Sequence, residues 1–193
     1  MEQIRLDTNE GTQIRSRSRA WMVALVGILA ATGLGGNYVL SGTPNIELSS
    51  VMVFLSGFLF GTPVGALVGL ITMTIYQIWN PWGAFIPPIG LAVIFCTTFT
   101  GIVGGIAGRN INVSCNIDRK RLTFSAAVLG VLTTLFFDLV TNFAFSITIN
   151  QSFVLILWLG LPLMLVHMIS NGILFGLLVP SVTPIIQNAI FDY

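Results

Sequence analysis

This sequence predicts an all-α integral membrane protein with six transmembrane helices and both termini cytoplasmic. Three observations carry that reading. Of 193 residues, 54% are hydrophobic and only 8% are charged, against about 25% charged in soluble domains, and the mean hydropathy is +0.90. The apolar residues come in long runs separated by short polar breaks. Threading those runs back and forth through a bilayer places all eight Lys and Arg residues on one face, which the positive-inside rule assigns to the cytoplasm.

Residues 1–19 are polar, carry Arg5, Arg15, Arg17 and Arg19, and read as a disordered cytoplasmic tail. The first apolar run lacks a cleavage-site pattern and is too long for a signal peptide. It covers residues 20–40, about 30 Å of helix and one bilayer core. Residues 48–79 form the ambiguous stretch. As one helix they would reach about 48 Å, too long without heavy tilt. The Gly61-Thr62-Pro63 break divides them, and charge parity decides for two helices, 48–60 and 63–79. Only a hairpin puts Arg109, Arg119, Lys120 and Arg121 on the same side as the N-terminal arginines. Pro63 suits the opening of the third helix, where a missing N–H costs nothing. An outer loop rich in proline and tryptophan, 80–88, precedes helix four at about 89–108. Helix five follows at about 122–149. A short 150–152 turn then leads into helix six, about 153–179, with Pro162 kinking it. The membrane domain as a whole spans 20–185.

Asp138 is the informative residue. It sits with Asn142, one turn away on the same face, inside an otherwise apolar run. A carboxylate at membrane depth costs a few kcal/mol or more unless it faces a cavity or a partner. Asp138 lies about 15 Å from the outer end of helix five, and His167, in helix six, lies at a similar distance from the outer end of its own helix. Asn171 and Ser170 follow His167 on one face. These two polar faces can meet. They form either a pocket open to the outside or a cluster that only ties the helices together. The outer segments add Asn37, Tyr38, Asn45, Glu47, Trp79, Asn80 and Trp82, with Trp158 near the start of helix six. Amides with aromatics suit a ring-bearing organic ligand, while tryptophans at this depth also suit an interfacial belt.

Small residues recur at four-residue spacing: Ala20 and Ala24, then Gly27, Ala31 and Gly35, in helix one, and Gly57, Gly61, Gly65 and Gly69 across the hairpin. Such stripes let helices approach closely, within the chain or across to a partner subunit. Cys96 and Cys115 have no pairing signature and read as free thiols. Signatures for a zinc protease, a phosphate-binding loop and a nucleophile elbow are absent. One histidine cannot build a His-rich metal site. No cofactor is expected, and no feature points to nucleic acid. Without a phosphate-binding loop, ATP-driven pumping would need partners.

Several segments together resemble the substrate-binding (S) component of an energy-coupling factor (ECF) transporter over about residues 20–180. They are Ala20-Trp21-Met22-Val23-Ala24, Asn45-Ile46-Glu47-Leu48, the hairpin 54–66, Asn80-Pro81-Trp82-Gly83, Phe137-Asp138-Leu139-Val140-Thr141-Asn142, and His167-Met168-Ile169-Ser170-Asn171 followed by Pro180. The resemblance implies a six-helix subunit of a prokaryotic plasma membrane. It would capture a vitamin or related organic micronutrient from outside, and would work with a transmembrane coupling subunit and two cytoplasmic ATPases, toppling in the bilayer to release its substrate. It further implies that Ala20 and Ala24, with Ala31 as the alternative partner of Ala24, dock the coupling subunit. The pocket would lie at the outer loops and outer halves of helices four to six. Asp138, Asn142, His167 and Asn171 would then orient the ligand, and Trp79, Asn80, Trp82, Tyr38, Asn37, Glu47 and Trp158 would surround it. No residue pattern selects among riboflavin, thiamine, biotin and folate, and the N-terminus lacks the histidines of the nickel and cobalt members. The rival readings are a membrane enzyme or scaffold, or a solitary carrier, built on the Asp138/His167 cluster.

Overall fold

The computed structural model describes residues 19–43, 45–111 and 118–191. The expected N-terminal tail (apart from Arg19) and Cys115 lie outside these residues. Six helices follow in order: α1 Arg19–Val39, α2 Leu48–Phe60, α3 Thr62–Ile78, α4 Pro87–Asn110, α5 Arg119–Thr148 and α6 Phe153–Phe191. The described residues contain no strand. Four helices, α1, α4, α5 and α6, are long and apolar enough to cross a membrane. Their outward faces carry exposed Val23, Ile28, Leu91, Phe95, Phe124, Leu132, Leu159 and Leu165. In water such a surface would aggregate; against lipid tails it is solvated.

The ambiguous stretch is two helices. Gly61 alone separates α2 from α3, at φ 95°, a backbone region open to glycine without strain. Its N–H closes α2 by donating to the Gly57 carbonyl at 2.7 Å, and Pro63 is the second residue of α3, one place later than the expected first position but still in the turn that needs no N–H partner. At 13 residues, α2 is only about 20 Å long. Its residues 51 and 53–58 are buried on all sides, which is what a helix apolar all round requires. It touches α1, α3, α4 and α6.

Glycines make the α2–α3–α4 packing possible. A methyl group added at Gly57, Gly65 or Gly101 would overlap the backbone of a neighbouring helix, and one at Gly104 or Gly108 would overlap the Phe54 or Phe58 carbonyl. The hairpin stripe is thus an internal packing device. The helix-one stripe differs: Ala20, Ala24, Gly27, Ala31 and Gly35 are all exposed, and a methyl at Gly27 or Gly35 meets nothing within 4 Å.

The helices alternate in direction, so the bundle has two distinct ends. One carries exposed Arg19, Arg109, Arg119, Lys120 and Arg121. The other carries the connections 40–47, 79–86 and 149–152. Phe54, Phe58, Leu122, Ala126, Phe175 and Val179 fill the core toward the basic end. Polar side chains gather toward the loop end.

One boundary differs clearly from expectation. Helix six was expected to stop near residue 179; α6 continues to Phe191 through Pro180 and Pro184. Proline is tolerated in such helices where hydroxyls and neighbours re-satisfy the backbone. The carbonyls that lose a helical N–H partner to these prolines are those of Gly176 and Pro180; the neighbouring Ser181 and Thr183 hydroxyls donate instead to the Leu177 and Val179 carbonyls, at 2.7 and 2.6 Å. At 39 residues α6 reaches about 58 Å, well beyond one hydrocarbon core.

Candidate ligand site

α5 and α6 run antiparallel and share the most extensive seam in the molecule. Residues spaced by four on each helix face one another there in successive rungs. Gly130 makes room for Phe175. One turn on, Asn171 Nδ2 donates to Thr134 Oγ1 at 2.8 Å. One turn further, His167 Nδ1 and Asp138 Oδ1 are hydrogen-bonded at 2.8 Å. Asp138, His167, Thr134 and Asn171 are all buried. Asn142 forms the last step: its Nδ2 donates to the Asp138 carbonyl at 2.7 Å, and its Oδ1 faces Gly160. The ladder leaves three buried atoms without a hydrogen-bond partner: Asp138 Oδ2, His167 Nε2 and Asn171 Oδ1. Elsewhere Thr97, Thr100 and Thr133 donate one turn back along their own helices, while the buried Ser49 and Thr62 hydroxyls have no partner.

A cavity of about 350 Å³ opens at the loop end. Its wall comes from Asn37 near the end of α1, from Leu40, Ser41, Thr43 and Asn45 to Glu47 before α2, the last turns of α3 (Met73, Tyr76, Gln77), Asn80 and Trp82, the start of α4 (Ile89, Val93) and Phe137 of α5. The short α2 contributes to this arrangement, because the connection before it lies over the bundle instead of continuing as helix. Asn45 pins that connection to α6. It adopts φ 59°, its Nδ2 donates to the Leu163 carbonyl at 2.8 Å, and its own carbonyl accepts from Ser170 Oγ at 2.9 Å. Asn37 Oδ1 accepts from the Ser49 N–H at the start of α2. Tyr38 donates to the Trp79 carbonyl at 2.9 Å and packs on Tyr76, tying α1 to the end of α3.

The expected site residues thus fall into three places. Asn37, Glu47, Asn80 and Trp82 line the cavity. Asp138, His167, Asn171 and Asn142 lie along the α5–α6 seam behind it. Trp79 and Trp158 are exposed, at 66% and 70%, and Tyr38 braces the wall from outside. Phe137 joins the first two groups: it lines the cavity, and its ring meets the His167 imidazole edge-on with centroids 5.6 Å apart. Tyr76, Gln77, Met73 and Phe137 were not anticipated. Adjacent Tyr76 and Gln77, near the end of an apolar run, were the available signal for the first two; Phe137 and Met73 carried none. Cys96 is a buried free thiol. No group of three or more His, Cys, Asp or Glu side chains able to hold a metal ion occurs among the described residues.

A family model described as the ECF-type riboflavin transporter S component matches residues 19–184. The chain belongs to this family. It is a substrate-binding subunit of a membrane transporter, as the resemblance implied. Such S components work with a coupling subunit and ATPases and are not a class of enzyme. No curated protein and no solved structure matched the chain. The matched range of this S component includes α1 to α5 complete and α6 as far as Pro184, so it contains the cavity, the polar ladder and the exposed α1 stripe.

Proposed function

We propose that this S component captures riboflavin, or a flavin-like vitamin, at its loop end from outside a prokaryotic cell. It then delivers the ligand inward with a coupling subunit and two ATPases. The observation that carries the reading is the cavity itself. Its volume lies within the range of about 300–1,000 Å³ usual for small-molecule sites. Trp82, Tyr76 and Phe137 offer aromatic faces for a flat ring system, and Asn37, Asn45, Gln77, Asn80 and Glu47 offer donors and acceptors for its polar edge. The family's description supplies the vitamin.

The orientation follows from charge. The five basic residues described gather at the opposite end of the bundle, which favours a cytoplasmic basic end and an outward-facing cavity. Six spans with both termini inside agree with that arrangement. The exposed α1 face of Ala20, Ala24 and Ala31 suits the coupling subunit, because small side chains admit a partner helix at close range.

The test is titration of the purified protein with riboflavin, followed by quenching of flavin fluorescence, together with mass spectrometry of small molecules that co-purify. Saturable binding that weakens by about tenfold in Trp82→Ala, the loss of one aromatic stacking contact, supports the reading. Absence of flavin binding, with a different compound retained, would sink it.

A further inference from the structure

One side chain touches both the cavity and the polar ladder. Phe137 presents its ring to the cavity and also to the imidazole of His167. Behind it lie Asp138 Oδ2, His167 Nε2 and Asn171 Oδ1, all in residues at least nine-tenths buried and all without a partner. Three such atoms on two adjacent rungs are far from the norm, since buried polar atoms are nearly always hydrogen-bonded. The set also has a chemical bias. The Asp138 carboxylate oxygen and the Asn171 amide oxygen can only accept, and these two carry the bias.

We infer that Phe137 is a movable partition, and that its displacement joins the outer cavity to an inner polar compartment selecting ligand groups that donate hydrogen bonds. The donor is a ring N–H or a hydroxyl. The inference rests on the vitamin-binding reading for its ligand, but the partition exists whatever the ligand. Outer aromatics hold the flat part of the molecule; the inner acceptors reward only a ligand that carries donors at its leading edge. A ligand of the same shape without them would leave the acceptors buried and unpaired, which is the strongest basis a small site has for rejecting an analogue. Asp138 and Asn171 contribute directly. His167 holds Asp138 Oδ1 engaged and so leaves Oδ2 as the free acceptor.

Two measurements decide it. In a background of Cys96→Ser and Cys115→Ser, His167→Cys places a thiol in the inner compartment, and a membrane-impermeant thiosulfonate reports its access in nanodiscs. Adding Phe137→Ala is expected to accelerate modification by about tenfold or more, the size of effect that follows from removing a packed aromatic ring. Phe137→Leu serves where the alanine variant does not fold. Equal rates with and without the ring overturn the partition.

In the second measurement the natural protein is titrated with riboflavin, N3-methylriboflavin and lumiflavin, which respectively keep both donor types, lack the ring N–H and lack the hydroxyl chain. One analogue is expected to bind about tenfold or more weakly, with that deficit gone in Asn171→Leu, as for a lost buried hydrogen bond. The weaker analogue identifies the donor. Equal affinity for all three overturns the selective compartment. If riboflavin itself does not bind, the vitamin reading falls, while the thiol measurement still decides the partition.

Discussion

Asp138 shows what a single buried charge requires. Its carboxylate is held by His167 at 2.8 Å on a helix 29 residues away in sequence. Removing one member of a buried pair strands the other, so Asp138→Leu is expected to cost about 3–5 kcal/mol of stability. Thr134→Val removes the acceptor of Asn171 Nδ2 and is expected to cost about 1–3 kcal/mol. Unfolding of the purified protein in detergent measures both, and a Thr134→Val protein as stable as the parent would contradict the rung geometry. Asn45 concentrates two contacts in one residue of strained backbone. Asn45→Ala loses the bond to Leu163 and keeps an unfavourable φ. Bound ligand should then dissociate about tenfold faster, as expected for one lost hydrogen bond; stopped-flow release kinetics give the answer.

At the scale of helices, two glycine stripes with the same spacing do different things. Gly101 has the Gly65 backbone directly against it, whereas Gly27 faces open space. Gly101→Val is therefore expected to destabilise the bundle by about 3 kcal/mol or more, the upper range for overpacking. Gly27→Leu should leave stability within about 0.5 kcal/mol, as for a surface change, and should impair association with the coupling subunit. Thermal unfolding and co-purification separate the two effects; equal destabilisation would contradict the assignment of the α1 face. The spacing of small residues was legible in the sequence, but its use was not, because a period of four fixes a face and says nothing of what lies opposite it. The length of α6 was hidden for a related reason: Pro180 and Pro184 mark a helix end by local sequence, yet the helix continues through both to Phe191.

For the whole molecule, the polarity of the bundle is the feature to test. The aromatic core and the basic residues share one end, and the cavity occupies the other. In a cysteine-free background, Ser41→Cys should react with an impermeant thiol reagent from outside intact cells, and Arg121→Cys only after the membrane is opened. The reverse pattern would invert the transport direction proposed here.

The sequence by itself determined the solvent of this protein, the six helices of the described residues and the break at Gly61. These follow from the transfer preferences of successive side chains, which are additive along a chain. It also singled out Asp138, since a charge in an apolar run announces its own cost. Only the tertiary structure decided that Asp138 and His167 meet Phe137 from the helix seam instead of lining the cavity, and that Tyr76, Gln77 and Met73 line it. A cavity is made where side chains from distant segments fail to fill space. That failure depends on helix direction, rotation and the depth at which the short α2 begins, none of which any local run of residues encodes.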